Sequence, residues 1–325
     1  MTNKSVIIPV AGGKGGIGKS MIAANLSIAL AQFGHSTIVI DLDLGGSNLH
    51  LMLGLQNENQ GIGDYINNPK MQFENLCVQT EWPHLKFIPG DGTTPFLANI
   101  SYSSKQNIIK EIKNLSAEYI ILDLGAGTSF NTLDFFHIVN RGILVTTSDR
   151  ISVINMLSFL KNFLLRTIDR GLPKNSNVRL QIQEMYSQSS NKEKITIESV
   201  LNKLQTSNIE NANQIRQICN NIRPRVVYNM IHGLQDLRLV NIINNSAKKM
   251  LSIKPDHLGP VFVDRAIPNA IRKGVPLLKY DQDSIAAQCI FSIAGDIIHY
   301  WDSDLSGSDQ SYIEKTTALY KKFTT

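Results

Sequence analysis

The stretch that decides the fold is Ala11–Ser20, AGGKGGIGKS, which follows the apolar run Val6–Val10 and precedes a small-residue helical pattern, Met21–Ala31. A strand, a glycine loop and a helix in this order match the phosphate-binding pattern G-x-x-x-x-G-K-[ST]. Glycines allow backbone conformations closed to other residues and bring N–H groups close to phosphate oxygens. The positive helix end, the Lys19 ammonium and the magnesium-binding Ser20 hydroxyl suit the same ligand. The stretch therefore predicts a site for a nucleoside triphosphate with Mg²⁺.

A second lysine, Lys14, lies inside the loop in addition to Lys19. The alternative interpretation is a plain glycine turn with one solvated lysine, but the complete pattern between a strand and a helix is uncommon. The motif GKGGIGKS resembles the deviant phosphate-binding loop of the MinD/ParA group of ATPases. The resemblance implies that Lys14 reaches across a dimer interface to the partner's nucleotide, and that the active form is an ATP-bound homodimer.

The same resemblance assigns the loop to ATP or ADP binding. The residues expected to contact the nucleotide are Gly13, Lys14, Gly15, Gly16, Ile17, Gly18, Lys19, Ser20 and Met21. Among them, Lys14 and Lys19 are expected to be catalytic, and Ser20 is expected to bind Mg²⁺.

Two further predicted strands end in carboxylates. The β-branched run Ser36–Ile40 is followed by Asp41 and Asp43, and the apolar run Tyr119–Leu122 is followed by Asp123. Acidic side chains at the carboxyl ends of parallel strands face the crevice in which such sheets bind ligands. Capping of the next turn is the alternative for each acid. Beside a phosphate-binding loop, the crevice is the favoured explanation.

Both acidic segments resemble the switch segments of MinD-like ATPases. The resemblance implies that Asp43 is catalytic, orienting the attacking water beside the metal that it helps to bind. It implies that Asp41 supports the water shell of the metal and that Asn48 senses the γ-phosphate. It further implies that Asp123 holds Mg²⁺ through water, while Gly125 lets its loop approach the γ-phosphate.

Two later segments resemble the parts of MinD-like proteins that contact the base. Arg225–Met230 reads as a strand, and the resemblance implies that Asn229 hydrogen-bonds the adenine with Met230 beside it. The segment Leu258–Leu278 resembles the last strand and the turn that close the nucleotide pocket. Asp264 in that segment is expected to lie near the base.

Strand and helix patterns alternate along the chain. This alternation predicts an α/β fold with a doubly wound, mainly parallel sheet flanked by helices. The polar, asparagine-rich stretch 172–223 is longer than an ordinary connection, and its helical spacing predicts a helical insertion at one edge of the sheet. We expect a single ATPase domain over residues 1–301, followed by a C-terminal tail over residues 302–325.

The composition is that of an ordinary globular protein. The 325 residues are 42% apolar and 18% charged, with a formal net charge of +5 and a pI near 9.0. Such a mildly basic balance permits contact with nucleic acid or with an anionic membrane, but it argues only weakly for either.

The cysteines Cys77, Cys219 and Cys289 lie far apart and form no C-x-x-C pair. Their spacing indicates a reducing compartment and argues against an iron–sulfur or zinc site within one chain. The first strand leaves no room for a signal peptide, and no apolar run approaches the roughly 18 residues of a membrane span. We therefore expect a cytoplasmic protein.

The resemblance covers most of the chain apart from the insertion and the tail. It implies an ATP-hydrolysing switch that is a dimer with ATP and a monomer with ADP. The segments Asp41–Asn48 and Asp123–Thr128 look most like those of MinD-like regulators of flagellar number and placement, with positioning of the cell-division site as the close alternative. Such a switch is expected to act on a protein partner, either an activator or a flagellar or division component.

A DNA-partition ATPase of the ParA type, whose dimer binds nucleoid DNA non-specifically, is the alternative from another functional class. It requires basic side chains on one face and an affinity that falls steeply with salt. The candidates for that face are Arg216, Arg223, Arg225, Lys248 and Lys249.

The tail raises peripheral membrane binding as a further alternative. A faint basic amphipathic pattern is formed by Tyr312, Leu319, Tyr320 and Phe323 with Lys315, Lys321 and Lys322. A basic amphipathic helix can lie in a membrane surface. A pattern this weak is more often a packing helix.

Overall fold

The computed structural model describes residues 5–56, 58–68, 70–91, 100–172, 179, 196–207, 209–303 and 308–324. Within these residues the strands are β1 (Val6–Ala11), β2 (Thr37–Leu42), β3 (Val78–Gln79), β4 (Leu85–Ile88), β5 (Tyr119–Leu124), β6 (Ile143–Thr146), β7 (Arg225–Ile231) and β8 (Asp256–Phe262). They form one sheet in the order β3-β4-β2-β5-β1-β6-β7-β8. Neighbouring strands are parallel except for the antiparallel β3–β4 pair. The predicted α/β fold with a mainly parallel sheet is confirmed.

Helices and 3₁₀ turns connect the strands. The described helices are α1 (Lys19–Gln32), α2 (Leu49–Met52), α3 (Ile62–Asn67), α4 (Tyr102–Asn114), α5 (Phe130–Phe136), α6 (Arg150–Gly171), α7 (Ile197–Ser207), α8 (Ile209–Asn221), α9 (Arg238–Leu251), α10 (Ala266–Lys273), α11 (Leu277–Tyr280), α12 (Ile285–Tyr300) and α13 (Ser308–Thr324). The 3₁₀ turns are Phe73–Leu76 and Leu234–Leu237.

The central strands are apolar along almost their whole length because both faces of the sheet are covered. Strand β5 lies between β2 and β1, and its register brings three strand ends together. Asp123 of β5 pairs with Asp41 of β2 on one side and with Val10 of β1 on the other. The phosphate-binding loop, which follows β1, and the two acids therefore meet at the carboxyl edge of the sheet.

Helix α1 is rich in alanine, leucine and isoleucine and is buried on all sides. It packs between strands β2 and β5 and helix α12, which explains why it lacks a polar face. The Asn25 Nδ2 donates to the Met21 carbonyl (2.8 Å), and its Oδ1 accepts from the Leu278 N–H (3.0 Å). The helix behind the loop is thereby fixed on every side.

The expected helical insertion over residues 172–223 coincides in part with described residues. Helices α7 and α8 pack against each other, α7 also contacts α9, and α8 contacts α6. The apolar residues at helical spacing are the buried ones: Ile197, Val200, Leu201, Ala212, Ile215 and Cys219. Residues 173–178 and 180–195 lie outside the described part of the chain.

Helix α6 is long and apolar enough to cross a membrane by length and composition alone. The expectation that no stretch approaches a membrane span is therefore wrong on that criterion. Its apolar side faces the protein, since Val153, Met156, Leu160 and Leu164 are buried, and it contacts β6 and α9. A buried apolar face of this kind is typical of a core helix.

The tail helix α13 packs against the edge strand β8. Tyr312 is buried and lies against the rings of Tyr228 and His257, while Tyr320 lies against Phe262. Three of the apolar residues that suggested a membrane helix, Tyr312, Leu319 and Tyr320, are thus in contact with the core. Helix α13 therefore packs beside β8, the last strand of the sheet on that side.

Candidate functional site

The glycine loop is fixed by close contacts that only glycine permits. A Cβ at Gly13 would lie 2.2 Å from the backbone carbonyl group of Asn155 in α6. At Gly18 the backbone has a φ of 86°, and a Cβ there would lie 2.2 Å from the Asn229 side-chain nitrogen. The loop therefore rests directly on α6 and on the end of β7, so its N–H groups have defined positions.

The Asn229 side chain supports the loop through a hydrogen bond. Its buried Nδ2 donates to the Ile17 carbonyl at 2.8 Å, and its buried Oδ1 has no hydrogen-bond partner. One of the two Nδ2 hydrogens is used within the chain, and the unpartnered Oδ1 can accept from a base amino group. The next residue, Met230, is 41% exposed and has a positive φ of 55°.

A cavity of about 630 Å³ lies beside the loop. The predicted nucleotide residues that line it are Gly16, Gly18, Lys19, Ser20, Met21, Asn229, Met230 and Asp264. The structure thus brings together residues from three segments that are far apart in the chain. The volume suits a ligand with a heteroaromatic base.

The cavity also has an apolar wall that the sequence analysis missed. Met52 of α2, Val263 after β8 and three residues of α10, Ile267, Pro268 and Ile271, line it. Val263 and Ile271 are about half exposed, which is unusual for large apolar side chains near a polar loop. A sequence signal existed in the apolar positions of Ala266–Lys273, but that pattern alone does not separate a core face from a ligand face.

Asp264 lies at the cavity, but its carboxylate bonds to the backbone. One oxygen accepts from the Ala266 N–H (2.8 Å) and the other from the Ala286 N–H (3.1 Å). These contacts join the first turns of α10 and α12, so Asp264 shapes the wall of the cavity. A direct contact with the base through its carboxylate oxygens is not what this geometry favours.

Asp123 is buried and one of its oxygens, Oδ1, has no hydrogen-bond partner. Burial, together with the charge of neighbouring Asp41, raises the pKa of Asp123 to about 8. The Ser20 hydroxyl hydrogen-bonds the carboxyl, and the charge of Lys19 lies close enough to oppose the shift. A buried carboxyl group with one oxygen unpartnered, beside a serine hydroxyl, is an arrangement that a bound cation would stabilise, so these residues fit Mg²⁺.

Asp41 organises the first switch segment. Its Oδ1 accepts from the Asp43 N–H (3.0 Å), and its Oδ2 accepts from the Ser47 hydroxyl (2.5 Å) and the Leu49 N–H (3.1 Å). Burial raises the pKa of Asp41 to about 6. Both oxygens accept hydrogen bonds from the following loop, so Asp41 holds that loop in place. Its expected support of a metal's water shell stays a prediction.

Asp43 and Asn48 are placed differently by the same segment. The Asp43 carboxylate lies against the second switch segment, since a Cβ at Gly125 would lie 2.9 Å from its Oδ1. Asn48 is exposed, and its Nδ2 donates to the Gly46 carbonyl at 2.7 Å. The structure therefore joins Asp43 to Gly125, whereas the Asn48 side chain bonds to its own loop.

Lys14 contacts its own chain. Its ammonium lies 3.5 Å from Asp149, and both side chains are substantially exposed. Asp149 is the N-cap of α6 and accepts from the Ser152 N–H at 2.8 Å. The Thr147 hydroxyl also hydrogen-bonds Asp149, and this is the main cause of the lowered pKa of that carboxyl.

Comparison with known proteins bears on these motifs. The ParA family model, described as NUBPL iron-transfer P-loop NTPase, matches residues 3–164. The chain belongs to the MinD/ParA family of P-loop NTPases. The matched residues include the loop, Asp43 and Asp123, while Asn229 and Asp264 lie beyond them.

The relatives of this MinD/ParA-family chain include a flagellum site-determining protein YlxH of Helicobacter pylori, 33% identical over 47% of this chain and 52% of its own length. They also include a putative septum site-determining protein MinD of Tupiella akineta, 30% identical over 45% of this chain and 47% of its own length. The chain spans about half the length of the curated relatives it matches.

The fold of this MinD/ParA-family chain has close structural neighbours. The septum site-determining protein MinD of Pyrococcus horikoshii, solved with Mg-ADP, matches with a TM-score of 0.57 over 91% of this chain and 96% of its own. The two chains are 18% identical. At that identity the match establishes the shared fold.

Proposed function

We propose that this protein is a MinD-like ATPase that hydrolyses ATP to ADP and phosphate and acts as an ATP-dependent dimerisation switch. The observation that carries the proposal is the meeting of the glycine loop, with Lys14 and Lys19, and the two acids Asp43 and Asp123 at one edge of the sheet. Each part has a role in phosphoryl transfer, which depends on positioning and on neutralising charge.

The loop and helix α1 would bind the phosphates. Backbone N–H groups of the loop and the positive end of α1 attract phosphate oxygens, and Lys19 supplies a nearby positive charge. When bound, Mg²⁺, held by the Ser20 hydroxyl and by Asp43 and Asp123, would neutralise the phosphate charge. The base would occupy the cavity beside Met230, where the open Oδ1 of Asn229 can accept from the adenine amino group.

Asp43 is the candidate for orienting the attacking water. Its carboxylate lies between the two switch segments, against Gly125, and it can accept a hydrogen bond from a water aimed at the γ-phosphate. Loss of the γ-phosphate would remove a ligand that both segments are expected to contact. This gives the protein a means of reporting which nucleotide it holds.

Lys14 is the candidate for the dimer contact. In the structure it pairs with Asp149 on the surface of its own chain. A surface ion pair of this kind contributes about 1 kcal/mol or less, so a second copy presenting a triphosphate could displace it. The proposed switch therefore needs no large rearrangement to free the lysine.

We further infer a role in spatial regulation, either in flagellar number and placement or in positioning the division site. The similarity to the flagellum site-determining and septum site-determining proteins supports this role. The partner would be a protein that takes part in flagellar placement or in positioning the division site. Three free cysteines are consistent with work in the cytoplasm, with any membrane contact being peripheral.

The iron-transfer activity in the family description fits this chain poorly. The cysteines lie on separate elements, Cys77 ahead of β3, Cys219 on α8 and Cys289 on α12. Among the described residues no group of three or more His, Cys, Asp or Glu side chains is placed to hold a metal ion. A carrier of iron clusters needs thiolate ligands that converge.

The test is size-exclusion chromatography with light scattering in the presence of ATP and Mg²⁺. We expect an Asp43→Ala variant to be trapped before hydrolysis and to run as a dimer. Adding Lys14→Ala should return it to a monomer, because the crossing lysine is lost. A matched control, Lys110→Ala on the exposed side of α4, should leave the Asp43→Ala dimer intact.

Two outcomes would count against the proposal. A monomer for Asp43→Ala at saturating ATP and Mg²⁺ would remove the dimer switch. A dimer that persists in the Asp43→Ala, Lys14→Ala variant would show that Lys14 has no part in it. Phosphate release by the parent protein, measured alongside, tests the ATPase activity separately.

A further inference from the structure

A second concave surface shares no lining residue with the nucleotide cavity. It is a groove of about 1090 Å³ between the insertion helices α7 and α8, helix α9 and the turn after it. We call it the basic groove, because five of its lining residues are cationic: Arg216, Arg223, Lys248, Lys249 and Lys254. They lie on α8, shortly after α8, at the end of α9 and shortly after α9.

Cationic side chains outnumber acidic ones among the described lining residues of the basic groove. The acids among them are Glu198 and Asp309, and Asp309 accepts from the Asn244 amide (3.0 Å). Lys248 and Lys249 lie in the last turn of α9, where cations interact favourably with the helix dipole. Arg216 on α8 and Arg223 after it add further cationic side chains to the same groove, and a concave surface on which cations outnumber acids favours an anionic ligand.

The lining also has a polar and an apolar part. Asn202, Asn220 and Asn245 supply exposed amides that can both donate and accept hydrogen bonds. Below them, Ile222 and Ile253 are buried and form an apolar floor. Charges at the rim, amides on the walls and an apolar floor together suit an extended polypeptide with acidic side chains.

Nucleic acid suits this surface less well. No aromatic side chain is among the described lining residues, so bases have nothing to stack on. Arg225, which the sequence placed in the same cluster, is buried beneath Trp301 and is not part of the groove. We propose that the basic groove binds an acidic segment of a partner protein that carries apolar anchor residues.

This inference does not depend on the proposed ATPase activity. None of the groove residues is among the candidate nucleotide residues, and helices α7, α8 and α9 carry none of them. Loss of groove binding and loss of ATP-dependent dimerisation can therefore be told apart in the same preparation. The light-scattering experiment above supplies the second readout.

The experiment measures fluorescence anisotropy with the full chain and three labelled probes. The first is a short peptide that alternates glutamate and leucine, the second replaces each glutamate by glutamine, and the third is a short DNA duplex. We expect the acidic peptide to bind, with an affinity that falls as salt is added. The glutamine peptide and the duplex should bind at least about tenfold more weakly.

Charge reversal locates the binding. The Lys248→Glu, Lys249→Glu variant should bind the acidic peptide about tenfold or more weakly than the parent does, because both lysines are exposed at the rim. The matched control is Lys110→Glu, Lys113→Glu on α4, which has the same charge change at exposed helix positions and should bind like the parent. ATP-dependent dimerisation should be unchanged in both variants.

Three results would overturn the inference. They are failure of the acidic peptide to bind, equal binding by the Lys248→Glu, Lys249→Glu variant and the parent, and binding of the duplex as tight as that of the peptide. The last result would assign the groove to nucleic acid, with a salt dependence set by phosphate contacts.

Discussion

The carboxyl edge of the sheet and the basic groove reach their chemistry in different ways. At the edge, each acid lies at the carboxyl end of a buried strand: Asp43 directly follows β2, and Asp123 is the last residue but one of β5. Parallel pairing of the strands then brings these ends together at one edge, independently of how the helices pack. In the groove, Arg216, Arg223 and Lys248 come from separate helices and turns. Their grouping depends on how those helices pack.

The comparison teaches which kinds of residue can be read from a sequence. A glycine or an acid in a strand–loop–helix motif can be placed from the sequence, because the motif itself determines the backbone around it. A surface arginine does not, because nothing local says which way its element faces. The predictions below test this difference, starting with the largest expected effect.

Arg225 and Arg223 are two positions apart, yet the structure gives them different roles. Arg225 is buried, its Nη2 donates to the carbonyls of Tyr300 (2.9 Å) and Trp301 (3.0 Å), and its Nε lies 4.0 Å from buried Asp256. Arg225→Ala should lower the free energy of unfolding by about 3–5 kcal/mol, because it removes a large buried side chain together with its hydrogen bonds to both carbonyls. Urea denaturation measures the loss.

The control is Arg223→Ala at the edge of the basic groove. It should cost less than about 1 kcal/mol of stability and should weaken binding of the acidic peptide. Equal losses of stability for both variants would show that the sequence cluster was a structural unit after all, and that Arg223 does not belong to a binding surface.

Gly13 and Gly15 test the loop in the same paired way. A Cβ at Gly13 would meet the backbone of Asn155 at 2.2 Å, whereas nothing lies within 4 Å of a Cβ at Gly15. Gly13→Ala should therefore lower the free energy of unfolding by about 1–3 kcal/mol, and Gly15→Ala should change it by no more than about 0.5 kcal/mol. Thermal unfolding without nucleotide measures both.

Without nucleotide, the loop variants report only on packing within the chain. A Gly13→Ala protein as stable as the parent would mean that α6 can move away from the loop. In that case the contact with Asn155 would not fix the loop, and the positions of its N–H groups would depend on the ligand.

Individual residues show which parts of the fold and of the site could be predicted from the sequence. The strands, the loop and the acids at the strand ends were predicted because backbone sterics and apolar runs are local properties. The brace from Asn229 to the Ile17 carbonyl was not, since it joins residues 212 positions apart. Nor was the burial of Arg225, because a charged residue at the start of a strand gives no local sign that Trp301 covers it.

Asp123 allows a test with pH. In the unfolded chain its carboxyl has an ordinary pKa of 3.8, and in the folded protein the pKa is about 8. Between these values the folded state binds a proton that the unfolded state has lost, so this group's contribution to stability falls as pH rises from about 4 to about 8. Asp123→Asn removes the titration and should make the protein about 1–2 kcal/mol more stable at pH 8.

The measurement is denaturation at pH 6 and pH 8 in EDTA without nucleotide, followed by the same series with ATP and Mg²⁺. The parent should gain stability from ATP and Mg²⁺, and Asp123→Asn should gain much less, because the carboxylate that fits the cation is gone. If the variant is less stable than the parent at pH 8 without metal, the buried carboxylate is not a source of strain there.

The smallest expected effect concerns the ion pair between Lys14 and Asp149. Asp149→Asn keeps an N-cap for the Ser152 N–H, since asparagine caps as well as aspartate, but it removes the charge that holds Lys14. Because an exposed pair contributes about 1 kcal/mol or less, the ATP concentration needed for half-maximal dimer should fall by no more than about fivefold. The titration is read by light scattering in the Asp43→Ala background.

A second surface pair provides the control for this last test. Lys315 and Asp296 pair at 2.5 Å between α13 and α12, so Asp296→Asn also breaks an ion pair without touching the loop. That variant should need as much ATP as its parent. If Asp149→Asn behaves in the same way, the contact between Lys14 and its own chain does not oppose dimer formation. Lys14 would then be free to cross at no cost, and the resting pair would be a surface contact without a part in the switch.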